Sequence, residues 1–406
     1  MIPLSDKSCK MRMRNVETAL RHRRIPYPKR SVELIALVAI SCTFFLFIHT
    51  NKLNSRLKEM EVKLQPSELS SLGLLGDHHI GDGDVAKNDF SSLHGTYQYL
   101  KSTGQMQSLN VHELNNTSKA QLKLIFFNRV PKVGSQTFME LLRRLSERNN
   151  FQFNRDAVQK VETIRLAEDQ QQELAEIISD LPEPSVFIKH VCYTNFTKFN
   201  LPTPIYINVV RDPIERVISW FYYVRAPWYF VERKAAFPDL PLPHPSWLKK
   251  DYESCVLSGD QECTYTQGVT VEGIGDHRRQ SLFFCGHAYE CTPFNTLGAL
   301  ERAKYAVESQ YAVVGVLEDL NTTLSVLEKY VPRFFQGVRE IYDSSAEYLT
   351  KINKNNFKPV VSEQVKDIVR RNFTNEIEFY QFCRQRLHKQ YLAAFMSHET
   401  VAGLIP

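Results

Sequence analysis

Two strand–loop–helix passages constrain this chain more than any other feature. In the first, the apolar run Leu122-Lys-Leu-Ile-Phe-Phe127 empties into Asn128-Arg-Val-Pro-Lys-Val-Gly-Ser-Gln-Thr137. Helical apolar spacing then follows at Phe138, Leu141, Leu142 and Leu145, which predicts a helix over 137–148. In the second, Pro204-Ile-Tyr-Ile-Asn-Val-Val210 runs into Arg211-Asp-Pro213 and a helix over 214–224, with proline at a favoured first position. Further strands are expected at 185–188 and 311–316. Further helices are expected at 165–181, 297–309, 320–330, 362–371 and 375–392. The proline-rich stretch 226–250 reads as a long loop, a lid or substrate wall. Such alternation implies an α/β fold, a parallel sheet flanked by helices.

The two loops carry the chemistry. A loop that leaves a strand and opens a helix offers free backbone N–H groups and the positive helix end to an anion. Gly134 permits close backbone approach, Lys132 supplies a point charge, and Ser135 and Thr137 can donate hydroxyl hydrogen bonds. No G-x4-G-K-[ST] pattern is present, so this is not a Walker loop. By spacing alone, an anion loop and an ordinary strand–helix turn both stay open. Arg211, just past a strand end, and Ser219, two turns into the next helix, could meet a second phosphate at the carboxyl ends of the strands. The plain alternative for Arg211-Asp212 is a capping turn with a local ion pair.

The charge is unevenly placed. The net +5 hides nine Lys or Arg against two acids in residues 1–30, whereas the chain from 51 onward has 41 basic and 42 acidic residues. A cationic body that binds nucleic acid is therefore excluded. Residues 1–30 read as a cytoplasmic basic tail, and 31–50, with Glu33 as their one charge, as a transmembrane signal anchor. A cleaved signal peptide fits poorly, because Phe44-Phe-Leu-Phe-Ile-His49 is bulky where small residues belong. Residues 51–118 read as a lumenal stem, with Leu53, Leu57, Met60 and Leu64 forming a short coiled coil and Gly76–Asp84 a spacer. Residues 119–406 are then the catalytic domain. Of the six cysteines beyond the span, Cys255/Cys263 and Cys285/Cys291 are close enough to close short disulfide loops in an oxidising lumen, while Cys192 reads as a buried thiol that is no nucleophile and Cys383 is left without an assignment. Zinc-type C-x2-C spacings are absent. Five N-x-S/T sequons, at Asn115, Asn116, Asn195, Asn321 and Asn372, all lie beyond the span, as lumenal exposure requires.

Taken together, strand–PKxGSxT–helix followed by strand–RDPxxRxxS–helix resembles the sulfotransferase superfamily. Phe126–Lys132, Pro204–Arg216, Phe283-Phe-Cys-Gly-His287 and Pro332-Arg-Phe-Phe335 resemble the 2-O-sulfotransferases that act on uronic acids of heparan, dermatan and chondroitin sulfate. The likeness spans about residues 120–390. It implies 3′-phosphoadenosine 5′-phosphosulfate (PAPS) as sulfate donor and no metal. Lys132, Val133, Gly134, Ser135, Gln136 and Thr137 would hold its 5′-phosphosulfate, and Arg211 and Ser219 its 3′-phosphate. A basic loop with Lys351 and Lys354 would close over the nucleotide. The resemblance makes His190 the general base and Lys132 the stabiliser of the leaving phosphate. Arg129, Arg143 and Arg233 are the candidate contacts to a glycosaminoglycan acceptor. It also implies a Golgi type II membrane protein and a homo-oligomer, trimeric in relatives. Val133 and Gln136 stand where the heparan enzyme has Thr, and Ile188 where it has a second His. Dermatan or chondroitin sulfate is the expected acceptor, with heparan sulfate as the alternative. A non-catalytic glycan-binding membrane protein is the other rival, and the joint presence of Lys132 and His190 argues against it.

Overall fold

The computed structural model describes residues 92–157, 159–160, 163–270, 278–353 and 358–396. The expected tail, membrane anchor, coiled coil at 53–64 and spacer at 76–84 lie outside the described residues, as does Lys354. Among the described residues no helix is long and apolar enough to cross a membrane.

Five parallel strands form one sheet. In chain order they are β1 (Leu124–Phe127), β2 (Gln152–Arg155), β3 (Ser185–Ile188), β4 (Ile205–Val210) and β5 (Tyr311–Val316). In space the order is β2-β3-β1-β4-β5. All residues of β1, β3, β4 and β5 are buried, which is why each reads as a continuous apolar run. The longer helices are α1 (Leu93–Ser102), α2 (Ser135–Asn149), α3 (Glu168–Ser179), α4 (Pro213–Tyr223), α5 (Pro227–Ala236), α6 (Leu297–Ser309), α7 (Leu320–Tyr330), α8 (Val338–Asn353), α9 (Glu363–Arg370) and α10 (Thr374–Phe395). The chain leaves β1 through α2 toward β2 at one edge, and leaves β4 through α4 toward β5 at the other. Their exit loops therefore diverge between neighbouring strands, the place where open α/β sheets form a ligand crevice.

Aromatic rings fill the centre of the sheet: Phe126 lies 5.9 Å from Tyr206, and Tyr206 5.7 Å from Tyr311. The two tyrosine hydroxyls are buried but satisfied, donating to the Thr194 carbonyl (2.7 Å) and to Asn128 Oδ1 (2.9 Å). A second apolar cluster joins Val217 and Phe221 of α4 to Tyr252, Phe294 and Phe373. The Cys255–Cys263 disulfide sits in that cluster, and the Cys285–Cys291 disulfide packs beside buried Cys192. Cys192 and Cys383 are buried thiols.

Four differences from the sequence reading are informative. First, residues 92–118 are not an extended stem. α1 docks on the body, with Leu100 fully buried and the Thr96 hydroxyl 3.0 Å from His388 Nδ1. Second, the expected loop at 226–250 contains α5 and a short helix, Pro245–Leu248. Pro227 and Pro245 occupy first helical positions, where the missing N–H is harmless, so these prolines start helices. Third, β2 and α8 were not foreseen, and Lys351 lies in the last turn of α8, not in a loop. Fourth, the Asn116 sequon is buried. Its amide donates to the carbonyls of Glu308 (2.7 Å) and Tyr311 (2.9 Å), so a glycan there has no room. Asn195, Asn321 and Asn372 are exposed and Asn115 is half-buried. Glycopeptide mapping of secretory-pathway material is expected to find Asn116 unmodified, with any glycans on the exposed sequons.

Candidate active site

The β1 exit loop is shaped by the polar groups beneath it. Asn128, at the end of β1, is fully buried, and its amide donates to the carbonyls of Phe283 (3.0 Å) and Val191 (3.3 Å). Asn208 of β4 donates to the Asn128 carbonyl (2.8 Å). Farther along, Arg216 donates to the Pro131 carbonyl (3.4 Å) and Arg211 to the Lys132 carbonyl (3.2 Å). In a trans peptide the N–H points opposite to the preceding carbonyl. Holding those two carbonyls on the arginines thus turns the N–H groups of Lys132 and Val133 the other way.

Lys132 (φ 65°) and Gly134 (φ 77°) both adopt the left-handed region, the first as a non-glycine residue at some cost in strain. A Cβ at position 134 would lie 2.5 Å from Leu317 Cδ1. Gly134→Ala is expected to displace the loop, destabilising the protein by about 1–2 kcal/mol and weakening nucleotide binding; thermal melts and nucleotide titration check both. The Val133 side chain is fully buried and anchors the loop, so only its backbone can serve a ligand. Ser135 and Thr137 are largely buried at the start of α2, whereas Gln136 is exposed.

The two helix starts differ in a way that separates their roles. Among the described residues no side chain caps the N-terminus of α2, whose N-cap position is Gly134. The N-terminus of α4 is filled by Asp212, whose Oδ1 accepts from Ile214 and Glu215 N–H, both 2.9 Å. An anion can therefore use the α2 terminus, while the second passage can offer only side chains. Arg211 is the chief of these, with Ser219 largely buried one face along α4. Gln280 fixes Arg211, accepting from its N–H (3.3 Å) and donating to its carbonyl (2.9 Å).

Positive charge converges on this crevice. Burial first, then the nearby Arg211 and Lys358 cations, lower the Lys132 ammonium to about 8, and its Nζ rests 3.8 Å from the centre of the Tyr223 ring. Lys358 pairs with Glu215 (2.7 Å), which also meets Lys366 (3.0 Å); burial alone would raise that carboxyl, but the two lysines hold it at about 2. Among the described residues, the carboxylates paired with Arg211 are distant, Glu215 at 3.7 Å and Glu318 at 3.9 Å. A phosphate or sulfate group fits here on two grounds: it would relieve the mutual repulsion of the cations and accept from the uncapped α2 terminus.

His190 lies just beyond β3. Its Nδ1 is 2.9 Å from the carbonyl oxygen of Arg129, three residues before Lys132. A carbonyl can only accept, so Nδ1 carries the proton and Nε2 keeps its lone pair. Burial first, then the Arg129 cation, push the imidazole down to about 3, against the raising effect of the Arg129 backbone bond. It is therefore a neutral base at physiological pH. Cys192, two residues on, has its thiol pushed up to about 12 by burial and is inert as a nucleophile.

The other sequence candidates are distributed differently. Arg129 flanks the loop, and its guanidinium donates to Met139 Sδ (2.7 Å). Arg143 does not join the site: its guanidinium bonds Glu140 (2.9 Å) and Glu147 (2.9 Å) along the exposed face of its own helix. Arg233 donates to the Lys160 carbonyl and lies over the Tyr229 ring. The sequence points to a basic loop over 350–358 but singles out Lys351 and Lys354 rather than Lys358, and it does not point to Gln280 or Tyr223. Of these, Tyr223 and its aromatic neighbours Trp220, Trp228 and Tyr229 were visible as a cluster.

A family model described as the sulfotransferase family matches residues 118–383. The chain belongs to that family and is a sulfotransferase enzyme. Across 97% of its length it is 43% identical to the uronyl 2-sulfotransferase homolog pip of Drosophila melanogaster, covering 95% of that protein. It is 31% identical to uronyl 2-sulfotransferase of Mus musculus, over 65% of this chain and 62% of that one. Heparan sulfate 2-O-sulfotransferase 1 of Xenopus laevis is also 31% identical, over 65% of this chain and 70% of that one.

Proposed function

We propose that this enzyme transfers sulfate from PAPS to the 2-hydroxyl of uronic acid residues, iduronate or glucuronate, in dermatan or chondroitin sulfate. The observation that carries the reading is the tie between His190 and the Arg129 carbonyl. It ties a neutral base just beyond β3 to the β1 exit loop that carries a partly desolvated lysine, beside an uncapped helix terminus.

The donor supplies an activated sulfuryl group on a phosphate leaving group. The chain's own residues do the rest. The α2 terminus and Lys132 hold the phosphosulfate end, and Arg211 with Ser219 holds a second phosphate. Nε2 of His190 takes the proton from the attacking sugar hydroxyl, and Nδ1–H donating to the Arg129 carbonyl keeps the ring oriented for it. Lys132 offers its proton to the bridging oxygen as negative charge gathers there. No metal is required by this scheme. The protein is read as a Golgi type II membrane protein with a lumenal catalytic domain, and as a homo-oligomer.

Incubation of the protein with radiolabelled sulfate donor and a panel of desulfated glycosaminoglycans tests the class of acceptor. Label is expected on dermatan or chondroitin chains. Label confined to heparan chains would reassign the acceptor, and no label on any uronate polymer would remove the reading.

A further inference from the structure

The last long helix reaches the site from behind. Glu376 lies in the first turn of α10 and is 1% exposed. Its Oε2 accepts from the N–H groups of Gln280 (2.9 Å) and Ser281 (3.2 Å), and its Oε1 from the Ser281 hydroxyl. Asn295 pins the start of the helix, its Oδ1 accepting from the N–H groups of Asn375 (2.8 Å) and Glu376 (3.2 Å). Two N–H donors on one oxygen suit an ionised carboxylate, which only accepts. Burial raises the Glu376 carboxyl, while the Ser281 hydroxyl and the Arg216 guanidinium work against that rise. A buried carboxylate is costly unless such donors and charges surround it, and here they do.

The contact continues beyond the backbone that Glu376 holds. Gln280 is fully buried, and its side chain grips both backbone groups of Arg211, accepting from the N–H (3.3 Å) and donating to the carbonyl (2.9 Å). An amide that meets an N–H and a C=O together fixes where that stretch of backbone lies and how it is turned. Arg211 then donates to the Lys132 carbonyl (3.2 Å). Among the described residues its Nε has no hydrogen-bond partner, so the guanidinium keeps a donor still to be satisfied. One line of hydrogen bonds thus runs from α10 through residues 280–281 to Arg211 and the β1 exit loop.

We propose that Glu376, acting through Gln280, is a positioning residue that aims Arg211 at the 3′-phosphate of the nucleotide, and so sets how strongly the enzyme prefers a 3′-phosphorylated nucleotide. The inference rests on the reading of Arg211 as the holder of that phosphate. Neither Glu376 nor Gln280 need touch the nucleotide. Their effect passes through the guanidinium, so it should vanish when the guanidinium is gone.

The test uses the full chain and calorimetric titration with adenosine 3′,5′-bisphosphate, with adenosine 5′-phosphate measured by competition. Gln280→Met keeps the length of the side chain and loses both bonds to Arg211. It is expected to weaken the bisphosphate about tenfold, the scale of a misdirected hydrogen bond to a charged group, and the monophosphate less than about twofold. Glu376→Gln should weaken the bisphosphate at least as much, and adding Gln280→Met to it should cost little more, since both act along one line. In an Arg211→Ala background, Gln280→Met should change bisphosphate affinity less than about twofold. In turnover the donor KM should rise with the bisphosphate Kd, while the acceptor KM stays within about twofold. Equal loss for both nucleotides, or a full tenfold loss in the Arg211→Ala background, would show a merely structural role and overturn the inference. A wild type that prefers the bisphosphate, loses that preference in Arg211→Ala and keeps it in Gln280→Met overturns the inference and leaves the reading of Arg211 intact. A wild type with no preference removes that reading, and the inference with it. Gln280→Asn, too short to span both backbone groups, should show the same selective loss, and it carries the test if Gln280→Met or Glu376→Gln fails to melt cooperatively.

Discussion

Lys132→Ala is expected to lower kcat by about two to three decades, the roughly 3–4 kcal/mol that a donor aimed at developing negative charge supplies. The fold should persist. The side chain reaches into the crevice and rests on Tyr223, while the loop is held by its backbone carbonyl, by buried Val133 and by Gly134. The same lysine predicts a pH effect. With its ammonium lowered to about 8 by burial, Arg211 and Lys358, it is charged below that pH and neutral above it. Affinity of the free enzyme for adenosine 3′,5′-bisphosphate should therefore fall as pH rises through about 8. Lys132→Arg should bind with little change over that range, since a guanidinium stays charged. Calorimetric titration across pH checks both. A lysine variant with near-normal turnover would contradict the assigned role.

His190→Gln is expected to reduce kcat about 10²- to 10⁴-fold, the usual contribution of a positioned base. Glutamine can still donate to the Arg129 carbonyl, so the loop should hold. Because the imidazole is pushed down to about 3, it is already neutral at and below its ordinary 6.5. The kcat/KM profile should thus show no acid limb from His190 near 6.5. Stability has the opposite dependence. As pH falls below 6.5 the unfolded chain takes up a proton that the folded ring refuses until about 3, so folded stability declines over that interval. His190→Gln removes this loss, and melts at pH 7 and pH 5 should converge more in the variant than in wild type.

The parts of the site that were legible in the sequence are those fixed by local chemistry. Leu124–Phe127 is buried on every residue, so it reads as a central strand. Lys132 and Gly134 follow it at once, and Asp212-Pro213 announces the next helix. The misses come from pairings that only tertiary structure creates. β2 is a four-residue edge strand, Gln-Phe-Asn-Arg, exposed at both ends and half-buried between, with a lone Phe153 and no apolar run to betray it. Lys358 reaches the site through Glu215, 143 positions away in the chain. Arg143 was over-read because its position two turns into α2 fixes height and not face; Glu140 and Glu147, at the i−3 and i+4 positions, were the signal that it lies on a paired outer face. The prolines of 226–250 suggest breaks, although Pro227 heads a helical stretch rich in aromatic residues. Asn116 shows the same limit: a sequon reports a local pattern, while the carbonyls that occupy its amide belong to Glu308 and Tyr311.

The central claim is the position of transfer, and disaccharide analysis of the labelled product reads it directly. Wild-type protein given radiolabelled donor and desulfated dermatan sulfate should place its label on the uronate 2-hydroxyl, and His190→Gln should place almost none. Label on the hexosamine, or equal labelling by the two proteins, would contradict the account.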